Sequence, residues 1–317
     1  MQVKSLILKI SFLASFLMIC YFGFVYNITQ GFVDTNYHKF TSKSGSLIIG
    51  LSRANEGISP QIVEKELNNS IQKPMLNFAF KKSQSAFGAV YLNAIKHKID
   101  TTSNNSLFIL SVSPGSFLIT KGLKDSAHIE LDKNTILGRM TNFNSHPNYE
   151  YVRKCYGQSL YRGLIKSPKM HFTIHQNGWV EFKSKKISAD KLKAQKKYLM
   201  EKTNNGYRQV LKYQKKSEYR MQVLEETIDY LNNYGTVVIT RLPIDSSFLV
   251  LEDTFWTDFN ERINVISNRQ QVPYFDFSKT GNLYNSYDGS HLYGESAKIF
   301  TKTLCDSIKM HQAKNLQ

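Results

Sequence analysis

Cysteine is scarce in this sequence, three residues in 317. Cys20 sits in an apolar run, which leaves Cys155 and Cys305 as one possible pair. A disulfide framework and a paired-cysteine zinc site are thereby excluded, although a single bridge is not. Acidic side chains are also outnumbered, 25 Asp and Glu against 41 Lys and Arg, for a formal charge of +16. Residues 151–220 alone hold 18 basic and 4 acidic residues, a net of +14. Such a surplus suits contact with anionic surfaces. Internal repeats, low-complexity linkers and recognised nucleic-acid reader motifs are missing, so nucleic acid is not an expected partner. What is present suits a globular chain: 41% hydrophobic and 13% aromatic residues, in a length sufficient for one large domain with an insertion.

After Tyr26 no apolar run is long enough to cross a bilayer. Before it there is one: residues 6–26 are apolar apart from Lys9 and a few small or hydroxyl residues. Twenty-one helical residues rise about 31 Å, close to the hydrocarbon thickness. Lys4 and Lys9 at its front end predict a cytoplasmic N-terminus with the remainder carried across. A cleaved signal peptide is the rival reading, but residues 19–24 offer no small-x-small cleavage site. The expectation is a membrane anchor over residues 1–30 and an extracytoplasmic domain over 40–317.

Within that domain, five short apolar runs read as buried parallel strands: 46–51, 75–80, 107–112, 236–241 and 272–277. Helical patterns alternate with them. One opens at Pro60 with Ser59 as N-cap; others cover 86–99, 207–232, 254–268 and a last stretch from Ser290 or Gly294 to about Lys309. The alternation predicts an α/β fold with a doubly wound, mostly parallel five-stranded sheet. Residues 117–206 break the pattern and read as an insertion. In it, residues 171–182 predict a β-hairpin on an Asn177-Gly178 turn, followed by lysine-rich sequence over 183–197.

Two motifs carry chemistry. Gly50-Leu51-Ser52-Arg53 follows the first strand, and Asp288-Gly289-Ser290-His291 follows the fifth. In a doubly wound sheet, both lie on the edge where such sheets bind ligands. A serine hydroxyl needs a neighbouring base to become a nucleophile, and an imidazole needs a group that fixes its tautomer. Ser52, His291 and Asp288 are the residue types for those three roles. Taken singly, a serine after a strand is as readily a turn former, and an Asp/His pair before a helix a cap.

These motifs, and the stretch from Tyr274-Phe275-Asp276-Phe277-Ser278 through Tyr287-Asp288-Gly289-Ser290-His291-Leu292, resemble the SGNH (GDSL-like) hydrolase superfamily. The likeness is to its membrane-anchored branch, which includes the D-alanyl transfer protein of teichoic acid and the alginate acetylation proteins. It covers residues 46–116 and 235–312. The resemblance implies an SGNH/flavodoxin-like sheet, Ser52 as nucleophile, His291 as base and Asp288 as its orienting carboxylate. It further implies an esterase or O-acyltransferase acting on an acylated cell-envelope glycan or anionic polymer, with no cofactor. Two blocks depart from the family. Its usual glycine and Gly-x-Asn-Asp oxyanion donors are replaced by Asn77-Phe78-Ala79-Phe80 and Ser111-Val112-Ser113-Pro114-Gly115-Ser116. Asn77 and Ala79 are the oxyanion candidates that remain, beside the Ser52 N–H. The departure also admits a non-catalytic assembly partner of a multispanning membrane acyltransferase.

Arg53 and Arg241 read either as clamps for an anionic substrate group or as surface salt-bridge residues. His171 and His175 make a metal pair only on a helix, and the local alternation favours a strand, so no metal is expected. Trp179, Phe172 and Phe182 read as hairpin core before they read as a sugar platform. The lysine run reads as a solvated helix face, with phospholipid headgroups or an anionic glycan as the second reading.

Overall fold

A computed structural model describes residues 2–81, 85–102, 104–159, 171–184 and 187–315. In chain order the elements are α1 (Gln2–Thr29), β1 (Ser46–Ile49), α2 (Ser52–Gly57), α3 (Pro60–Leu67), β2 (Met75–Asn77), α4 (Ala89–Lys98) and β3 (Ser106–Ser111). Then come β4 (Leu118–Thr120), α5 (Asp125–Lys133), α6 (Ile136–Arg139), α7 (Tyr149–Lys154), β5 (Phe172–Ile174), β6 (Val180–Phe182) and α8 (Ala189–Tyr213). The chain closes with β7 (Gln214–Lys216), α9 (Glu218–Asn232), β8 (Gly235–Arg241), α10 (Ser246–Phe255), α11 (Phe259–Gln270), β9 (Tyr274–Asp276) and α12 (Gly294–Asn315).

Five strands form one parallel sheet in the order β2-β1-β3-β8-β9. This is the α/β architecture expected, and the order is consistent with flavodoxin-like and SGNH-type folds. Apolar runs form its central strands because both faces are covered. Leu47 and Ile49 of β1, Phe108 and Leu110 of β3, and Val237 and Ile239 of β8 enter one core with α4, α9 and α11. Their alternates Ile48, Leu107, Ile109 and Val238 enter the other with α2, α3 and α12. A period of two thus feeds two cores from one strand.

Several boundaries differ from expectation. The 207–232 helix is two helices: Gln214–Lys216 leaves α8 to pair antiparallel with β4, and Ser217 then caps α9 by accepting from the Arg220 N–H. The 254–268 helix is also two, because Trp256 takes φ −138° and ψ 76° between α10 and α11. Ser59 precedes α3, but its hydroxyl makes no cap bond and has no hydrogen-bond partner among the described residues. The hairpin forms as expected, β5 antiparallel to β6, with Gly178 at φ +78°. All three cysteines are free. Residues 160–170 of the insertion, and Lys185 and Lys186 of the basic run, lie outside the described residues.

Helix α1 is long and apolar enough to cross a bilayer, and its most apolar part is unburied by the rest of the chain. Its last turns are different: Val25 and Ile28 are buried in the core with Tyr37 and Phe40, and Phe22 meets Tyr149 edge-on at 5.4 Å. The helix is therefore anchored into the domain at its C-terminal end.

Helix α12 positions the site. Ala297, Phe300, Leu304 and Ile308 recur at helical spacing and pack with Ile58, Val63 and Leu67 of the α2–α3 segment. Thr301 Oγ1 accepts the Ser59 N–H at 3.0 Å. The chain thus returns from β9, at the sheet edge, to lie over β1. At the end of β1, Gly50 admits β3: a Cβ there would stand 2.8 Å from Ser111 Cβ and 3.1 Å from Ser111 O. Gly50→Ala is expected to cost about 1–3 kcal/mol, read as a lowered denaturation midpoint of the detergent-solubilised protein. Gly157→Ala, where a Cβ meets nothing within 4 Å, is expected to leave the midpoint in place.

Candidate active site

Ser52 is the first residue of α2, immediately beyond the turn that ends β1. The Asp288–His291 loop faces it from the entry to α12. Gly289 takes φ +82°, and a Cβ there would fall 2.4 Å from the Phe248 ring, so the tight loop needs glycine. Asp288 Oδ1 accepts the backbone N–H groups of Ser290 (2.9 Å) and His291 (2.8 Å). That fixes the carboxylate with Oδ2 toward His291 Nδ1 at 2.8 Å. His291 Nε2 then meets Ser52 Oγ at 2.8 Å. An ionised carboxylate only accepts, so Nδ1 carries the proton and Nε2 is the acceptor for the serine hydroxyl. Thr203 of α8 donates a further bond to Asp288 Oδ2 at 3.2 Å.

The ionisation states follow from the surroundings. Burial pushes Asp288 up, but the His291 bond and charge and the two backbone N–H groups outweigh it and hold the carboxyl below its ordinary value. Burial pulls His291 down, yet Glu56 and Asp288 together overcome it and Arg53, so the imidazole sits above its usual pKa.

Arg53 and Arg241 are one cluster. The Arg53 Nε donates to Ser290 Oγ at 3.1 Å, and its Nη2 meets Glu252 Oε1 at 2.5 Å and the Tyr207 hydroxyl. Arg241 Nη2 donates to Glu252 Oε2 at 2.9 Å and to Asp253. Both arginines are therefore salt-bridge residues, but the pairs are buried rather than on the surface: Arg53 is 11% exposed, Arg241 1% and Glu252 4%. Burial pushes Glu252 up, but the two guanidiniums hold its carboxyl below the ordinary value. Arg53 reaches a cavity beside Ser52; Arg241 does not.

That cavity measures about 280 Å³. Three segments line it with Glu252, Ser290 and His291: residues 51–53, Ser111, Ser113, Gly115 and Ser116 at and after the end of β3, and the Thr203, Gly206, Tyr207 and Val210 face of α8. Asn77 and Ala79 are absent from this lining. The Asn77 amide donates to the Ala54 and Ile58 carbonyls, and its Oδ1 accepts the Ala79 N–H. Both oxyanion candidates are engaged in tying β2 to α2, which leaves the hydroxyl-rich turn after β3 as the polar wall next to the serine.

Elsewhere, Trp179 is fully buried and donates to the Glu56 carbonyl; it is hairpin core and no sugar platform. His175 meets Glu181 at 2.9 Å and stacks on Trp179, and β5 separates it from His171.

Sequence reasoning missed Glu252, Tyr207, Thr203, Glu56 and Tyr287. Two had a local signal. Glu252 ends the apolar run Phe248-Leu249-Val250-Leu251, an anomalous place for a charge. Glu56 lies four residues after Ser52, one helical turn on the same face. Thr203 and Tyr207 had none, because helix spacing does not say where α8 docks.

Removing the central anion strands two buried cations. Glu252→Ala is expected to destabilise the protein by about 3–5 kcal/mol, measured by chemical denaturation. Glu252→Gln, which keeps the shape, is expected to fall between it and the parent.

No protein-family model matches this sequence, and no curated protein is significantly similar to it.

Proposed function

We propose that the protein is a membrane-anchored serine esterase or O-acyltransferase of SGNH type, acting outside the cytoplasmic membrane on acyl groups of a cell-envelope glycan. The observation that carries this reading is the hydrogen-bonded chain Ser52 Oγ–His291 Nε2 and His291 Nδ1–Asp288 Oδ2, each link 2.8 Å, beside a cavity.

In the forward step Ser52 Oγ attacks the acyl carbonyl and its proton passes to His291 Nε2. The carbonyl π electrons move to oxygen. The Ser52 N–H and the turn at 111–116 are the nearest candidates to hold that oxyanion. The tetrahedral centre collapses, the ester C–O bond breaks, and His291 returns the proton to the departing alkoxide. An acyl-serine remains. A water molecule releases it as a carboxylic acid, or a second sugar hydroxyl takes the acyl group, each losing its proton through His291.

The cavity favours a small, uncharged acyl group. It is bounded on one side by Gly206, Tyr207 and Val210, and its one lining carboxylate, Glu252, is already matched by two arginines. An ammonium on the acyl group would find no free counter-ion among the described lining residues. The exposed apolar α1, with Lys4 and Lys9 at its front, supports membrane targeting of the chain, and the burial of Val25 and Ile28 in the domain core supports its retention as an anchor. The +14 stretch at 151–220 supports an anionic polymer or membrane surface as neighbour.

A second reading, a non-catalytic assembly partner of a membrane acyltransferase, draws on one observation: Asn77 and Ala79 are engaged elsewhere and offer no oxyanion donor.

The purified full-length protein is expected to hydrolyse a chromogenic acetyl ester and to be labelled by a fluorophosphonate. Ser52→Ala is expected to abolish labelling and to lower kcat/KM by at least about a thousandfold; equal turnover by the variant would refute the mechanism, and an unlabelled, inactive parent would favour the second reading. Activity is expected to rise with pH through a midpoint above 6.5, because His291 must be neutral to accept the serine proton. An octanoyl ester is expected to react more slowly than the acetyl ester.

A further inference from the structure

One buried carboxylate near the triad is unused by the steps above. Glu56 is 3% exposed and lies one turn beyond Ser52 on α2. Its Oε2 accepts the Tyr287 hydroxyl at 2.7 Å. Tyr287 immediately precedes Asp288, and its ring lies nearly parallel to the His291 imidazole, 5.7 Å between centroids and 14° between planes. The same ring stacks on Phe182 of β6 at 4.5 Å, and the Glu56 carbonyl receives the Trp179 indole N–H. The hairpin therefore clamps a carboxylate, a tyrosine and the imidazole into one packed group. Glu56 forms no ion pair with a Lys or Arg among the described residues, whereas Glu252 holds two.

We propose that Glu56 is a positioning residue, a second carboxylate that stabilises the His291 imidazolium formed when Ser52 gives up its proton. This rests on the serine-hydrolase reading above. Glu56 neither gains nor loses a proton in the cycle; the proton travels from Ser52 Oγ to His291 Nε2 and on to the leaving oxygen. The charged and titratable groups around the imidazole are few. Asp288, Tyr287 and Tyr293 come from its own segment. Glu56 and Arg53 come from α2, with Arg53 opposing the imidazolium while paired to Glu252 of α10. Helix α8 contributes Thr203, an uncharged donor to Asp288, and Tyr207 beyond Arg53. Lys81 acts on Glu56 from outside the site.

The electrostatics agree in both directions. For His291, after burial, the largest influence is the Glu56 charge, ahead of the Asp288 bond and charge. For Glu56, burial leaves the carboxyl above its ordinary value, and the largest influence holding it back is the His291 charge, followed by the Tyr287 bond. The anion and the cation each favour the other's ionised form.

The test is a titration of His291 by NMR of carbon-labelled histidine in the full-length protein in detergent micelles, on a Ser52→Ala background. Glu56→Gln keeps an acceptor for Tyr287 and removes only the charge. It is expected to lower the His291 midpoint by about half a unit or more, and Glu56→Asp to restore most of the loss. With Ser52 present, the acid limb of kcat/KM is expected to move down by the same amount and its plateau to fall about threefold, with KM nearly unchanged. Tyr287→Phe serves if Glu56→Gln does not fold: losing its donor makes Glu56 harder to ionise, so the His291 midpoint is expected to fall there too. An unmoved His291 midpoint in a folded variant overturns the proposal. A shifted midpoint in a protein without esterase activity keeps the Glu56–His291 coupling and removes the esterase reading, so the two failures are told apart.

Discussion

The packing of α12 against α2 and α3 is the contact on which the rest of this site depends. A parallel sheet places every strand's C-terminal end on one edge, but β9 lies three strands away from β1 in the order β2-β1-β3-β8-β9. The loop carrying Asp288 and His291 would end far from Ser52 if the chain simply stopped at that edge. The apolar face of α12, Ala297, Phe300, Leu304 and Ile308, draws it back over β1. Burying a large apolar side chain contributes about 1.5–3 kcal/mol, whereas a hydrogen bond contributes a net of about 0.5–1.5 kcal/mol. The Ser52–His291 contact is thus a consequence of core packing across 239 residues of sequence, and its own bond is too weak to be the cause.

Charge burial follows a different logic on each side of the serine. Removing an ion from water costs several kcal/mol unless partners compensate. Glu252 is compensated twice, by Arg53 and Arg241, and each guanidinium is further held by Tyr207, Ser290, Asp253 or Asn260. That cluster ties the segment after Ser52 to Ser290 and α10, and of its members Arg53 acts on His291, against its protonation. Among the described residues Glu56 has a hydroxyl donor, a nearby imidazole and the charge of Lys81. An anion compensated by a group that changes charge during a reaction is coupled to that reaction; one compensated by permanent cations is not.

The sheet was legible in the sequence because central parallel strands are apolar on both faces, and runs such as Leu47-Ile48-Ile49 and Leu107-Phe108-Ile109-Leu110 have few other uses. The two motifs were legible because strand-end positions are dictated by topology. Helix breaks at Gln214 and Trp256 were not, since the residues there have no strong breaker and the causes are long-range: pairing of β7 with β4, and packing of Trp256 under Phe117 and Phe259. Asn77 and Ala79 failed as oxyanion candidates for a related reason. Both were read as lying within a strand over 75–80, whereas β2 ends at Asn77, and an amide that can bond neighbouring carbonyls within the fold does so when it is fully buried. Arg53 and Arg241 each read as a clamp or a surface salt bridge, and no local pattern announces that one carboxylate on α10 lies between them.

The insertion divides the labour of the site. Ser52, Asp288 and His291 all come from the α/β core, where short connections and packed helices hold them. Enclosure comes from the excursion that leaves through β4 and returns through β7. Helix α8 is solvated along most of its length, with no fully buried residue, yet it touches the site at two points, Thr203 on Asp288 and Tyr207 on Arg53 and Glu252, with Tyr207 also stacked on Phe248. A helix held by so few buried contacts sits at the low end of local stability, while the core beneath it does not. Substitutions at Gly206 and Val210 on the cavity face of α8 can alter what fits beside Ser52, whereas Thr203 and Tyr207 also hold Asp288 and Arg53 and so act on the alignment itself.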